Sequence, residues 1–462
     1  MKQYDIIIAG AGASGVFMSY ELAKLNVNAK VLVLDKGSRL EERVCPIKRG
    51  LTKSCVKCNP CHIMNGYGGA GTLSDGKYNI TTQFGGDLHN YVGVDKAMEL
   101  MEYVDEVLCS MGGASAKLYS TGNSQLKTEC LKYDLHLLEA KVRHLGTDRN
   151  VRILGEMYNY CKDKIDMQFK TVVSDVSREE DGTFVVTTTG GEQFSCRDLV
   201  LATGRSGSKW ISQICDKMGV EQKKNRVDIG VRVELPAEIF KHITDDVYES
   251  KIIYQTDKYN DLVRTFCMNP YGEVVSENTN GIVTVNGHSY DDRSLHTQNT
   301  HFPLLVSNHF TVPFDDSNEY GESIAKLSNM LGGGVLLQRF GDLVKGRRSS
   351  ERRMRKCFTQ PTLQATPGDL SLVIPKRQLD DIIEMIYALD KIAPGTANED
   401  TLLYGVEVKF YNSVVKVDGN LETSVPRMYA LGDGSGVTHS LSQASASGVW
   451  VARTLAEIYG TK

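Results

Sequence analysis

Tyr4-Asp-Ile-Ile-Ile-Ala-Gly10-Ala-Gly12-Ala-Ser-Gly15 is an apolar run that passes directly into G-x-G-x-x-G. A helix-like stretch follows from Val16 to Leu25, and a second apolar run, Ala29-Lys-Val-Leu-Val-Leu34, ends on Asp35. This is the pattern of a βαβ unit with an acid about 20 residues beyond the last glycine. Gly10 permits the tight turn from strand to helix, Gly12 lets a pyrophosphate approach the backbone, and Gly15 lets helix and strand pack closely. The helix start, with Ala13 and Ser14, offers free N–H groups and a partial positive charge to phosphates. Asp35 is placed to accept from ribose hydroxyls, with Lys36 beside it. The stretch predicts a bound dinucleotide.

The rest of the chain sets limits on the partners. Its 462 residues are too many for one compact core, so two or three domains are expected. With 41% hydrophobic and 24% charged residues and a net charge of −4, nothing draws the whole chain toward nucleic acid or anionic membrane. No apolar run reaches the 18 or so residues of a membrane span. The first strand begins by residue 5, which leaves no room for a signal peptide, and the expected location is the cytoplasm.

Residues 95–165 read as helical, Leu131 to Leu145 included. Period two takes over at 167–201, with a turn at Glu179-Glu-Asp-Gly182, and 226–310 is again strand-like. Helices are expected at 320–345, at 376–392 and from about Leu441, the last preceded by a strand at Met428–Leu431.

Three separated pieces together resemble the glutathione-reductase-type FAD flavoproteins. They are the N-terminal βαβ, then Val200-Leu-Ala-Thr203-Gly204, then Pro426-Arg-Met-Tyr-Ala-Leu-Gly432-Asp433-Gly434-Ser-Gly436. The resemblance implies FAD, with Asp433 accepting from the ribityl chain and Thr438 to Gln443, Ser442 included, at the flavin edge. Val173, Thr203, Gly204 and Gly432 join the cofactor contacts on the same ground. A narrower resemblance is to mostly uncharacterised bacterial FAD-dependent dehydrogenases. It rests on Gly66-Tyr-Gly68-Gly69-Ala70-Gly71-Thr-Leu-Ser74-Asp75-Gly76-Lys77, and on Asn269-Pro-Tyr-Gly-Glu-Val-Val and Val285-Asn-Gly287. The glycine loop can lay bare backbone against pyrophosphate and flavin. The resemblance fixes no substrate.

The implied fold is α/β: a Rossmann-like FAD-binding domain, parallel sheet plus three-stranded meander, assembled from 1–95, 150–225 and 375–462. A helical insertion is expected at 96–149 and a β-rich cap domain at 226–374. The implied function is an FAD-dependent oxidoreductase, a dehydrogenase or reductase of a small organic substrate. The alternatives are a thiol–disulfide flavoenzyme and a non-catalytic flavin redox sensor or scaffold. No second nucleotide-binding βαβ is visible, since Leu331-Gly-Gly-Gly334 lacks the spacing. Electrons are therefore expected from substrate, from a ferredoxin-like carrier or from another partner protein.

Cys45-Pro46 and Cys55-x-x-Cys58-x-x-Cys61 form a thiol-rich stretch among eleven cysteines. The spacing resembles ferredoxin-type ligation and predicts a 4Fe–4S cluster. Structural zinc, a redox disulfide and no joint role are the competing readings. His439, after the Gly-Asp loop, is a candidate proton donor, or else a helix-start residue without chemistry. Asp75 and Lys77 are candidates for catalysis or for structure within their loop. Arg347-Arg348-Ser-Ser-Glu-Arg352-Arg353-Met-Arg355-Lys356 could face an anionic substrate, an acidic ferredoxin or, as a third option, RNA, or could be a solvated surface. His288, His296, His301 and His309 are too irregularly spaced to suggest a metal site.

Overall fold

The computed structural model describes residues 1–46, 49–51, 56, 58–247, 249–279, 281–289 and 293–462. The chain forms two compact units: 1–119, 141–223 and 412–462 make the first, and 120–140 with 224–411 the second.

The first unit is built on a five-stranded parallel sheet, in the order Met428–Ala430, Asp198–Leu201, Ile6–Ala9, Val31–Leu34, Asp166–Gln168. A parallel sheet is covered on both faces, so its strands read as unbroken apolar runs. Ile6, Ile7 and Ile8 are all fully buried. Alternation along the strand then sorts them. Ile6 and Ile8 join Val31, Val33 and Val200 beneath the helices Ala13–Lys24, Val94–Leu108, Thr147–Cys161 and Leu441–Tyr459. Ile7 turns the other way, with Leu32, Leu34, Leu199 and Leu201, toward the meander and the helix Ser208–Met218. The meander Val173–Arg178, Phe184–Thr188, Gln193–Cys196 is antiparallel, with Lys2–Gln3 added in parallel at its edge. The fold class is thus a Rossmann-type α/β sheet with meander, as the sequence implied.

Helix Ala13–Lys24 lies against helix Leu441–Tyr459 at close range. The second helix presents Ala444, Ser445, Ala446, Ser447 and Gly448, all buried. A Cβ on Gly448 would run into the carbonyl of Ser14. Small side chains here let two helix backbones approach and bring the C-terminal motif to the N-terminal one.

The second unit centres on an eight-stranded sheet in the order Thr366–Pro367, Leu336–Arg339, Leu402–Phe410, Val227–Pro236, Asn299–Asn308, Leu262–Thr265, Lys251–Gln255, Leu135–Leu138. Val227–Pro236 alternates cleanly. Val227, Ile229, Val231, Val233 and Leu235 enter the apolar core with Leu379, Ile382, Met385, Ile386 and Leu389 of helix Lys376–Ile392. Asp228, Arg232 and Glu234 occupy the opposite face and are buried too.

Four expectations differ from these elements. The stretch Leu131 to Leu145, expected helical, holds the strands Leu135–Leu138 and Lys141–His144. Leu135 and Leu137 are buried on either side of exposed His136, a period of two, and Asp134 sits at φ 57 in a left-handed turn that no helix tolerates. The expected insertion 96–149 is therefore neither wholly helical nor one body: 96–119 and 141–149 belong to the first unit and 120–140 to the second. Helix Lys376–Ile392 exists where expected, and residues 375–411 lie in the second unit. The cause is the strand after it, Leu402–Phe410, which pairs along nearly its whole length with Val227–Pro236. Finally, 320–345 is broken by the strand Leu336–Arg339.

Candidate functional site

The strand order places three loops side by side at the carboxyl ends of adjacent parallel strands, where open α/β sheets bind ligands. Ala202 N donates to Ala9 O (2.8 Å), Gly10 N to Leu34 O (2.8 Å) and Leu431 N to Leu201 O (3.1 Å). The loops meet backbone to backbone. A Cβ on Gly10, whose φ is +114, would collide with Ala202 O; one on Gly434 would collide with Gly204 O. Gly432 lies against the Ser14 hydroxyl. Gly12 and Gly204 are open instead. A Cβ on Gly12 would meet no protein atom nearer than Ala202 O at 3.9 Å, and one on Gly204 none within 4 Å, while the glycine loop packs close by, a Cβ on Gly69 lying 3.0 Å from Gly12 Cα.

Asp35 is buried at the end of its strand. Its Oδ2 accepts from Ala11 N (2.8 Å) and its Oδ1 from Gly37 N (2.7 Å). A carboxylate has about four acceptor positions, so room remains for a ribose hydroxyl. Lys36 donates to Ser206 O (3.2 Å), beside Gly204, and burial lowers its pKa. Val173 opens the first meander strand.

The glycine loop seats on the first loop through Gly68 N, which donates to Ala11 O (2.7 Å). Its shape is held by Arg43, which the sequence reading missed. The guanidinium is buried and donates to four carbonyls: His62 (3.1 Å), Ile63 (2.7 Å), Tyr67 (2.6 Å) and Gly69 (2.8 Å). Burial pushes its pKa down to about 10, opposed by Asp35 and Cys61, so it stays charged at neutral pH. Ser74 folds the loop end, donating to Gly71 O (2.6 Å) and accepting from Gly76 N (3.2 Å). Asn150 donates to Gly71 O and Thr72 O. Ala70 is exposed and Gly71 half-buried. Asp75 and Lys77 form an ion pair with each other (2.9 Å), the carboxylate half exposed at 51%.

The third loop carries a small polar network. Asp433 Oδ2 accepts from Arg205 Nε (3.2 Å), its Oδ1 pairs with His439 Nδ1 (3.3 Å), and its carbonyl accepts from Asn412 (2.7 Å). Arg205 and Asn412 were not anticipated; Arg205 directly follows the Thr203-Gly204 motif, and nothing in the sequence around Asn412 marks it. The helix Leu441–Tyr459 is capped by Ser440, whose hydroxyl accepts from Gln443 N (3.3 Å). The Gln443 side chain is committed to the fold: it donates to Thr81 O and Phe84 O and accepts from Leu88 N, each at 3.2 Å. By contrast, the hydroxyls of Thr203, Thr438, Ser442 and Ser445 are buried with no hydrogen-bond partner. Native structures leave few such groups unpaired. Clustered in the second and third loops and the helix start, they fit a ligand rich in polar oxygens and nitrogens.

Replacing Asp433 by Ala should weaken FAD binding by about 10- to 100-fold, the worth of one charge-assisted hydrogen bond of about 1.5–3 kcal/mol. Its partner Arg205 is 60% exposed and returns to water, so apoprotein stability should barely move. Fluorescence titration of deflavinated protein measures this, and an unchanged affinity would remove Asp433 from the cofactor contacts.

The cysteine expectation finds no support in the geometry. Cys45, Cys58 and Cys61 are free and half-buried, and Cys55 lies outside the described residues. Among the described residues no group of three or more His, Cys, Asp or Glu side chains is gathered to hold a metal. The turn around Cys61 serves the Arg43 clamp instead, with Asn65 donating to Cys61 O (3.0 Å). Among the described residues no helix is long and apolar enough to cross a membrane.

In the second unit, the Asn269-to-Gly272 and Val285-to-Gly287 motifs close over one buried ion pair. Arg232 and Glu407 are 3% and 2% exposed and bond in parallel, Nε to Oε2 at 2.8 Å and Nη2 to Oε1 at 2.9 Å. Arg232 Nη1 also donates to His301 Nδ1 (2.9 Å), and Nη2 to Asn286 Oδ1 (3.3 Å). A Cβ on Gly287 would overlap His301, and one on Gly272 the carbonyl of His288. His301 is thereby held neutral: burial first, then Arg232, push its pKa down to about 3. Farther along the strand, Glu234 accepts from Asn299, Thr362 and Tyr404.

An unfolded histidine protonates below about pH 6.5, while folded His301 does not until about 3. Its contribution is complete above pH 6.5 and is lost as pH falls through that window, at up to about 1.4 kcal/mol per pH unit. Urea midpoints between pH 7.5 and 5.5 should therefore fall less steeply for His301→Gln than for the parent. Parallel slopes would show that His301 is not held neutral.

With the geometry in place, the chain can be compared with known proteins. Residues 226–410 match the family model described as FAD-dependent protein, C-terminal domain-like. No curated protein matches the sequence. Solved structures that align include glycine oxidase from Geobacillus kaustophilus, at 12% identity over 100% of this chain and 96% of that one, with TM-score 0.41. The FAD-bound L-alpha-glycerophosphate oxidase from Mycoplasma pneumoniae aligns at 11% identity over 99% and 95%, TM-score 0.39. E. coli quinol fumarate reductase FrdA aligns at 14% over 100% and 71%, TM-score 0.44. Likenesses this distant carry no argument about activity.

Proposed function

We propose that the chain holds one noncovalent FAD and acts as an FAD-dependent oxidoreductase on a small organic molecule. The observation that carries this is the meeting of the loops at Gly10–Gly15, Thr203–Gly204 and Gly432–Gly436, with the Cβ directions of Gly12 and Gly204 left open. The family match of residues 226–410 supports the same cofactor.

The residues present fit the group. Gly12 and the start of helix Ala13–Lys24 would hold the pyrophosphate, Asp35 the ribose and Asp433 the ribityl chain. The unpaired hydroxyls of Thr438 and Ser442 would hold the ring edge. When bound, FAD supplies hydride exchange at its isoalloxazine ring. The chain's own part is positioning and proton handling. The start of helix Leu441–Tyr459 would turn its positive end, and the N–H groups that Ser440 leaves uncapped, to negative charge on a ring bound there. His439, oriented by Asp433 at 3.3 Å, can hold a proton at Nδ1 or release one at Nε2. Arg43 fixes the glycine loop, so that bare backbone rather than mobile side chains would face a bound cofactor. Asp75 and Lys77, paired to each other, serve the loop in this reading and no proton transfer.

Among the described residues no second nucleotide-binding βαβ stands, so NADH and NADPH should reduce the flavin slowly and without saturation. A low-potential ferredoxin-like carrier or a chemical reductant should act faster. Anaerobic stopped-flow reduction tests both the redox role and the donor: rapid, saturable reduction by NADH would reveal a nicotinamide site, and a flavin that no reductant reaches would favour a scaffold over an enzyme.

A further inference from the structure

The polar face of strand Val227–Pro236 carries two ionic groups with different charge balance. The Arg232–Glu407 group is sealed and neutral overall, one guanidinium to one carboxylate with His301 uncharged. The group at the other end of the strand is neither sealed nor balanced. Fully buried Asp228 accepts from Arg264 Nη2 (2.5 Å), Tyr411 Oη (2.7 Å) and Ser307 Oγ (2.7 Å), with Arg226 Nε at 3.8 Å. Lys409 stands opposite Asp228 in the register. Among the described residues, Asp228 is the only carboxylate within 4.0 Å of either guanidinium, and none lies that close to Lys409. Two guanidinium groups therefore share one carboxylate, and Lys409 adds a third positive charge on the same face of the sheet.

These cations are held in place. Arg264 lies over the Phe266 ring at 4.5 Å and donates to Tyr411 Oη (2.9 Å); Lys409 approaches the same Phe266 ring at 5.7 Å; Arg226 lies over Tyr411 at 4.9 Å. Stacked guanidinium groups keep their planes and present their edges. The Nε–H groups of Arg226 and Arg264 are buried without a hydrogen-bond partner. Their side chains are nevertheless only partly covered, at 30% and 17% exposure, unlike Arg232. Uncompensated charge in a half-buried wall is costly unless an anion completes it.

We infer that Arg226, Arg264 and Lys409, oriented by Asp228 and Tyr411, form an anion site that takes the carboxylate of a small organic acid. Guanidinium forks match the flat, two-oxygen edge of a carboxylate. Calling that acid the substrate rests on the flavoenzyme reading above; the site itself does not.

Isothermal titration of the full-length protein as purified, in low-chloride buffer, tests this with succinate, acetate and inorganic phosphate as probes. FAD content is measured on the same samples. Saturable succinate binding near one per chain is expected. Arg264→Lys and Arg226→Gln should each weaken it by about tenfold or more, as loss of a charged hydrogen bond does. Lys409→Gln, which breaks no buried pair, should weaken it about threefold with an unchanged melting temperature. Carboxylate binding that persists in protein stripped of flavin supports the site independently of the cofactor reading. No saturable heat from either carboxylate in FAD-loaded protein overturns it. So does tighter binding of phosphate than of both carboxylates, or unchanged affinity in all three variants.

Discussion

Gly12→Val should give a folded protein that purifies without flavin. The protein itself has room for the side chain, since the nearest atom to a Cβ is Ala202 O at 3.9 Å. The backbone of Gly12 is extended, at φ −74 and ψ −169, which any L-residue adopts. The cost to folding should therefore stay within about 1 kcal/mol. What the valine fills is the space a pyrophosphate needs to reach the helix-start N–H groups. Losing two charged hydrogen bonds there costs about 3–6 kcal/mol, a fall in FAD affinity of about 100- to 10,000-fold. The parallel change at Gly10 would not be informative, because a Cβ there collides with Ala202 O and the fold itself suffers. Thermal melting and flavin content of Gly12→Val together check the result: a yellow variant with full FAD would remove the pyrophosphate from this loop.

The largest effect on stability is expected at Arg232→Met. The methionine roughly keeps the volume of the stem but leaves Glu407, 2% exposed, without its counter-ion, and His301 Nδ1 with only the longer bond from Asn269 (3.4 Å). Breaking one side of a buried pair costs about 3–5 kcal/mol. The double variant Arg232→Met, Glu407→Leu should recover much of that loss, because both buried charges are gone. Urea denaturation of the two variants gives the comparison. A single variant within about 1 kcal/mol of the parent would show that the pair is not sealed from water.

Most of the first unit was legible because its signals are local. Ile6 to Ala9 and Val31 to Leu34 are apolar runs with glycines or an acid in register, and the parallel sheet buries them on both sides. The strand before Gly432 and the helix after Ser440 were read within a residue or two. What failed depended on partners remote in sequence. Leu131, Leu135 and Leu138 fit a helical spacing while Leu135 and Leu137 fit a strand's, and only pairing with Lys251–Gln255 decides between them. Helix Lys376–Ile392 shows its apolar stripe plainly, but no residue of it says which sheet it will cover.

At the candidate site, the glycines and Asp433 are pointed to by motifs of fixed spacing. Arg43 is not. It works by reaching carbonyls at positions 62, 63, 67 and 69, and carbonyls have no sequence signature. The Cys55 to Cys61 spacing is a strong local pattern that the geometry does not take up: Cys55 lies outside the described residues, and the described cysteines are not gathered into a ligand set. The Asn269 and Val285 motifs were seen without a role. They prove to supply Asn286 and the glycine contacts on Arg232 and His301, partners brought in by strand pairing across the sheet.

The central claim is that the three loops make one FAD site. Titration of deflavinated protein with FAD, followed by the change in flavin fluorescence, tests it most directly. The account predicts saturation at one FAD per chain in the parent and no saturable binding at micromolar concentrations in Gly12→Val. Absence of binding in the parent, or equal binding by both proteins, would contradict it.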